Sequence, residues 1–105
     1  MSIYCNSDYT QNFTLRGKLN QPVVLPPTAD IEIVFVHSAS KERYVANVSN
    51  GMVILTDPTV GKFSLQLPAT FTQEMKVGEY NIVAHRVDDQ RTRLFGGFVT
   101  VAPEL

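Results

Sequence analysis

The sequence predicts an all-β protein, a sandwich of two antiparallel sheets containing about seven strands. Three observations support this prediction. Short apolar runs alternate with polar residues, most regularly over residues 62–67; Gly, Pro and Asn-Gly breakers separate these runs at short intervals; and no stretch has the periodicity of a long amphipathic helix. Such a pattern is typical of two sheets packed face to face, so we expect one domain covering residues 1–105.

The first half of the chain contains one strand beside a proline-rich segment and one central strand. Residues 12–16 alternate in polarity, which predicts a strand with Phe13 and Leu15 on its buried face. Residues 21–28 contain three prolines, which remove backbone donors, so this segment is expected at an edge or in a crossover. Residues 31–37 carry apolar side chains on both faces, which predicts a central strand, or one whose outer face meets a partner.

Turn residues divide the middle of the chain. A polar turn at residues 38–42 leads to a strand at 44–48, which forms a hairpin with residues 31–37. The Asn50-Gly51 pair tolerates positive φ and predicts a turn before the strand at 52–55.

The connection at residues 56–61 ends in Gly61, which is free to adopt a left-handed conformation. In the strand that follows, Phe63, Leu65 and Leu67 are expected to point inward, whereas Lys62, Ser64 and Gln66 are expected to meet water.

The last third of the chain predicts a short helical turn and a final hairpin. Residues 69–75 are too few for an independent helix and are expected to cover one end of the sheets, with Phe71 and Met75 beneath. Residues 79–87 and 92–101 form the hairpin, turned by residues 88–91. The Gly96-Gly97 pair predicts a bulge or a close backbone approach in the last strand.

Composition and charge exclude several classes of function. The chain has nine Lys and Arg against ten Asp and Glu, with a formal net charge of −1, and the basic residues are scattered. Phosphate neutralisation dominates nucleic-acid affinity, so no nucleic-acid partner is expected. No polybasic stretch or long apolar run indicates a membrane partner. We expect a soluble protein made in the cytoplasm, with residues 1–11 as a loosely ordered N-terminal arm rather than a secretory signal.

Chemistry-bearing residues are few, and none forms a catalytic or metal-binding motif. Cys5 is the single cysteine, and His37 and His85 are the only histidines, so the ligand set of a structural zinc site is not present. Neither Ser38 nor Ser40 lies in a Gly-x-Ser-x-Gly motif, which would indicate a nucleophilic serine. We therefore expect no enzymatic activity, no cofactor and no metal.

The candidate interface lies on the final hairpin. Arginine and aromatic residues are enriched at protein interfaces, and five of them cluster in the sequence here. These candidate interface residues are Arg86, Arg91, Arg93, Phe95 and Phe98.

The later part of the chain resembles immunoglobulin-like domains. The triplet Gly78-Glu79-Tyr80 resembles their tyrosine corner, in which a tyrosine hydroxyl hydrogen-bonds to upstream backbone. The resemblance does not extend to the disulfide of those domains, because Ile82 occupies the position of the cysteine.

A wider resemblance covers residues 31–101. The run from residue 50 to 65, the Gly78-Glu79-Tyr80 triplet and the segment 92–98 (Thr-Arg-Leu-Phe-Gly-Gly-Phe) resemble small immunoglobulin-like proteins of tailed bacteriophages and prophages. The same segments are similar to the N-terminal domain of phage baseplate upper proteins. The family pattern carries no catalytic residues to transfer.

This resemblance implies a non-enzymatic virion structural protein of the tail, baseplate or head-to-tail region. Its partners would be other virion subunits or copies of itself in a homo-oligomer, and its location the virion, or the host cytoplasm during assembly. A carbohydrate- or small-ligand-binding module is the alternative, with Tyr4, Tyr9, Tyr44 and Phe98 as candidate stacking residues.

Overall fold

The computed structural model describes residues 2–17, 19, 21, 23–25, 30–87 and 91–103. Within these residues the chain is almost entirely β, as predicted, and has eight strands rather than about seven. The structure also contains a one-turn helix α1 (Ala69–Thr72) and a 3-10 turn (Pro58–Val60). The strands are β1 (Ser2–Tyr4), β2 (Tyr9–Thr14), β3 (Asp30–His37), β4 (Arg43–Asn47), β5 (Val53–Asp57), β6 (Lys62–Leu67), β7 (Gly78–Val87) and β8 (Arg91–Ala102).

The described strands form two sheets. One sheet has five strands in the order β1-β8-β7-β3-β4, and the other has three in the order β2-β6-β5. With β2 to β8 equivalent to the immunoglobulin strands B, C, C′, D, E, F and G, the two sheets reproduce the immunoglobulin-like orders G-F-C-C′ and B-E-D. The predicted fold class is therefore confirmed.

The N-terminal segment differs from the loosely ordered arm that the sequence predicted. Strand β1 pairs in parallel with the end of β8, with Ser2 opposite Thr100 and Tyr4 opposite Ala102, so the five-stranded sheet is not purely antiparallel. Ile3 is fully buried, which anchors β1 against the core. A three-residue strand is too short for its alternation to be recognised in the sequence.

The core fills the space between the two sheets with inward-facing side chains. The predicted inner faces of β3 and β6 are confirmed, since every one of their expected apolar residues is at most 2% exposed: Ile31, Ile33, Phe35, Phe63, Leu65 and Leu67. Phe13 on β2 stacks on Phe63 with ring centroids 5.1 Å apart. This aromatic contact lies within one strand pair, where Phe13 and Phe63 are direct partners.

Ser64 corrects one expectation of the sequence analysis. The alternation predicted that it meets water, but it is only 2% exposed. It lies on the middle strand of the small sheet, directly between Asn12 of β2 and Ile54 of β5, and these neighbours cover it. Its hydroxyl oxygen is buried without a hydrogen-bond partner among the described residues.

The connections follow the predicted turn chemistry where the structure describes them. Gly61 has a φ of 72°, and α1 leads to Met75, which is 3% exposed. Residues 21 and 23–25 carry no strand, in agreement with a crossover, and Leu25 is buried. Residues 22, 26–29 and 88–90, which include the three prolines of that segment and the tip of the last hairpin, lie outside the described residues.

The predicted tyrosine corner is present at the start of β7. The Tyr80 hydroxyl donates a hydrogen bond to the carbonyl oxygen of Lys76 at 2.7 Å, and the side chain is fully buried. Burial raises the pKa of Tyr80 to about 12. The His37 ring packs edge-on against Tyr80, with centroids 4.9 Å apart, so the corner is enclosed by aromatic groups.

Candidate interaction surface

The exposed face of the five-stranded sheet, here called the outer sheet face, is the most distinctive surface among the described residues. It consists of the side chains of β8, β7, β3 and β4 that point away from the core. The strand registers arrange these side chains in rows across the sheet. In the strand order β8, β7, β3, β4, the rows are Phe98, Asn81, Val36, Arg43; then Gly96, Val83, Val34, Val45; then Arg93, His85, Glu32, Asn47; and finally, without a β4 residue, Arg91, Val87, Asp30.

The centre of the outer sheet face is apolar. Val34 lies directly between Val83 of β7 and Val45 of β4, and Val36 follows it along β3. A groove of about 280 Å³ runs over Val34, Val36 and Val83, with Arg43 and Arg91 among its walls. Because β3 is a central strand with apolar residues on both faces, its outer valines are covered only by neighbouring side chains.

Charged side chains surround this apolar centre. Arg91 forms an ion pair with Glu32, whose side chain is 20% exposed, across the width of β7. The Arg93 guanidinium lies close to Gly96: a Cβ atom built on Gly96 would be 2.4 Å from a guanidinium nitrogen of Arg93. Glycine at this position therefore makes room for the arginine, which is the close approach that the Gly96-Gly97 pair predicted.

Phe98 is the most exposed aromatic residue of this face, with 78% of its surface accessible. Its cross-strand partner Asn81 is also exposed and does not cover the ring. A phenylalanine fully in water gives up the free energy of burying its side chain, roughly 1.5 to 3 kcal/mol. Beside an apolar groove and arginines, such a ring is typical of an interface anchor.

The structure divides the five candidate interface residues between the two sides of the sheet. Arg91, Arg93 and Phe98 lie on the outer sheet face. Phe95 points inward and stacks on Phe13 with ring centroids 5.1 Å apart. Arg86 is half-buried and lies in register with the inward-facing Ile31.

A β-bulge at Leu94 separates Phe95 from Arg91 and Arg93. The register of β8 against β7 shifts between Ala84 and His85, so that Ala84 faces Phe95 while His85 faces Arg93. Regular alternation would place Arg91, Arg93 and Phe95 on one face; the extra residue instead leaves both arginines outside while Phe95 turns to the core. The bulge therefore lies just before the Gly96-Gly97 pair, near the position the sequence indicated.

Several residues of the outer sheet face were not recognisable from the sequence, namely Glu32, Arg43 and Val83. Val34 and Val36 were recognisable, because the apolar second face of residues 31–37 was already noted as a possible contact surface. The other three become neighbours only through strand pairing.

His37 has a structural environment. Its Nε2 donates to the carbonyl oxygen of Val77 at 3.1 Å, and its Nδ1 accepts from the backbone N–H of Ser40 at 3.0 Å. The Ser40 hydroxyl oxygen lies 3.1 Å from the same Nδ1. Both ring nitrogens thus hold the β3–β4 turn against the segment before β7.

The remaining candidate groups do not converge. Cys5 is half-buried, and its thiol lies 3.7 Å from the carbonyl oxygen of Met75. The described residues contain no cluster of three or more His, Cys, Asp or Glu side chains that could hold a metal ion. In the described part of the chain, no helix is both long and apolar enough to cross a membrane.

The four candidate stacking residues occupy different environments. Tyr4 and Phe98 are exposed, but Tyr44 is half-buried against Phe71 and Tyr80. The hydroxyl of Tyr9 donates to the side-chain oxygen of Gln11 at 2.6 Å. Burial raises the pKa of both Tyr9 and Tyr44, and the hydrogen bond from Tyr44 to Glu42 adds to the latter shift.

No protein-family model matches this chain, and no curated protein is significantly similar to it. The fold and the outer sheet face define the class: a two-sheet sandwich with immunoglobulin-like strand order, in which one sheet presents a valine-floored groove, an exposed phenylalanine and paired charges.

Proposed function

We propose that this chain is a non-enzymatic structural or interaction protein that works through subunit contacts. Its setting is a phage or prophage particle, in the tail, baseplate or head-to-tail region. Its partners are other virion subunits or copies of itself, and it resides in the virion, or in the host cytoplasm during assembly. The setting is supported by the sequence resemblance described above.

The outer sheet face is the observation that carries the contact function. An exposed aromatic ring, an apolar floor and arginines together have the composition of an interface core with a polar rim. Phe98 supplies the ring, Val34 and Val83 the floor, and Arg91 and Arg93 the charges. Arginine also binds carboxylates bidentately, which suits a partner with acidic side chains.

The test is association in solution. The purified chain is studied by size-exclusion chromatography with light scattering, alone and mixed with each tail, baseplate and head-to-tail protein encoded near it. A defined homo-oligomer or a complex of fixed stoichiometry is expected. A strict monomer that binds none of these proteins would contradict the proposal.

A second candidate function is recognition of a carbohydrate or small ligand. A groove of about 390 Å³ lies at one end of the three-stranded sheet, and its lining includes Asp8, Tyr9, Asn50 and Gln66. Its volume falls in the range of small-molecule sites, about 300 to 1,000 Å³. The fold already uses two of these polar groups, because Asp8 accepts from the Ala69 backbone N–H and Asn50 from Met52.

Glycan-array binding tests this second candidate. Binding that persists on dilution and is lost in Tyr9→Ala, but not in Phe98→Ala, would favour it over subunit contact. Absence of binding to every glycan would remove it.

A further inference from the structure

We infer that the outer sheet face associates with the same face of a second copy of this chain. The two copies are related by a two-fold axis that lies midway between their facing five-stranded sheets and runs perpendicular to the strands. This inference rests on the proposed contact function and specifies its partner. It follows from the positions of the charged and apolar side chains on the face.

The row of Val83, Val34 and Val45 is the midline of the outer sheet face. The next row in one direction contains Phe98 of β8 and Arg43 of β4, and the next row in the other direction contains Arg93 of β8 and Glu32 of β3. Two rows from the midline, Glu79 of β7 lies on the side of Phe98, and Arg91 of β8 lies on the side of Arg93.

A two-fold axis along this midline brings several complementary groups together, and it places Val36 over Glu32 of the second copy. It leaves each strand opposite its own copy and exchanges the two sides of the midline. Phe98 of one copy then lies over the backbone of Arg93 of the other, and the Arg93 guanidinium forms a cation–π pair with the ring once it turns away from Gly96. Arg43 lies beside Glu32 of the second copy, one strand across, and every such contact occurs twice.

The outermost charges complete the match. Glu79 is exposed, and the same axis places it one strand away from Arg91 of the second copy. Arg43 does not meet its own copy, because it lies one row from the midline, which separates the symmetry mates by roughly four residues, or ~13 Å, along the strand. The Arg93 guanidinium lies over Gly96 on the midline, so it avoids its own copy by turning towards Phe98 of the second copy on association. Valines meet valines at the centre, so the apolar groove is closed.

The size of the face is compatible with a dimer. Four strands about 4.8 Å apart and eight residue steps of about 3.4 Å give a flat area of roughly 500 Å². Side-chain relief raises the accessible area above that value, towards the ~800 Å² per partner of standard interfaces. The exposed fraction of Phe98, 78%, would fall on association.

The first experiment measures the dimer dissociation constant by sedimentation equilibrium. Phe98→Ala and Val83→Arg are each expected to weaken the dimer at least ~10-fold, because they remove an anchor or place a charge at the apolar centre. Thr56→Arg, on an exposed position of β5 in the other sheet, is the control and should leave the constant unchanged. Far-UV circular dichroism verifies that each variant is folded.

The second experiment determines the direction of the axis by crosslinking in a Cys5→Ser background. Val45→Cys lies on the midline, so a short bismaleimide should join two copies whose sheets are ~10 Å apart. Glu79→Cys should not crosslink, because its two copies are separated by eight residue levels, ~27 Å, along the strands. Crosslinking through Glu79→Cys instead of Val45→Cys would overturn the arrangement.

The outcomes separate this inference from the proposed function. A monomer that still binds a virion protein would overturn the inference and leave the proposed function standing. A dimer that Val83→Arg and Phe98→Ala leave intact would also overturn the inference, since the contact would then use another surface. A monomer that binds no candidate protein would contradict both.

Discussion

Replacing Tyr80 with phenylalanine tests how much the tyrosine corner stabilises the fold. The change removes only the hydroxyl, whose hydrogen bond to the carbonyl oxygen of Lys76 is 2.7 Å long, and keeps the ring that packs against His37. A hydrogen bond contributes a net ~1 kcal/mol, and an acceptor left without its donor adds to the loss. We expect Tyr80→Phe to lower the free energy of unfolding by about 1 to 2 kcal/mol.

Urea unfolding followed by far-UV circular dichroism measures this loss, since the chain has no tryptophan for fluorescence. With a slope of ~1 to 1.5 kcal/mol per molar urea, the midpoint should fall by about 1 M. Tyr44→Phe is the comparison: the Tyr44 hydroxyl lies 3.0 Å from both the Glu74 carbonyl oxygen and the Glu42 carboxylate, but these contacts are exposed and water can replace them, so a smaller shift is expected. Equal shifts for the two variants would refute the reasoning.

The pH dependence gives an independent measure of the same hydroxyl. The pKa of Tyr80 is raised by burial to about 12 in the folded state, against about 10 in the unfolded chain, so folding favours the neutral phenol. The stabilisation of the fold by the neutral Tyr80 phenol is fully present below pH 10. It is lost as pH rises from 10 to 12, which lowers the free energy of unfolding by up to about 2 to 3 kcal/mol. Wild type should therefore lose more stability than Tyr80→Phe over this interval, and parallel losses would contradict the assignment.

Two further substitutions probe the backbone and the small sheet by the same urea assay. Gly51→Ala should lower the free energy of unfolding by about 1 to 2 kcal/mol, because Gly51 has a positive φ, and Gly61→Ala should lower it at least twice as much. Gly61 also has a positive φ, but a Cβ there would lie 2.7 Å from the Val23 carbonyl oxygen, whereas nothing lies within 4 Å of a Cβ at Gly51. Equal costs would show that the close approach is relieved without strain. Ser64→Ala should be neutral or stabilise by up to about 1 kcal/mol, since it removes a buried hydroxyl without a partner among the described residues; a clear destabilisation would show that this hydroxyl is satisfied.

Much of the fold and part of the contact surface can be predicted from local patterns. Alternation with a period of two identifies the residues that share a face of a strand, which is why Ile33 and Phe63 were predicted correctly in the core. Turn chemistry likewise anticipated Gly61, and the Gly-x-Tyr triplet anticipated the hydrogen bond of Tyr80. These features depend on neighbours in the chain, so the sequence by itself determined them.

Only the tertiary structure decided which strands pair and where a register shifts. The parallel pairing of β1 and the ion pair of Glu32 with Arg91 join residues that are 98 and 59 positions apart. The bulge at Leu94 left Phe95 in the core and put Arg91 and Arg93 on the outer sheet face, although the three occupy alternate positions in one predicted cluster. Alternation orders side chains along one strand, but an extra residue or a distant partner changes which face they share, and local sequence does not encode either.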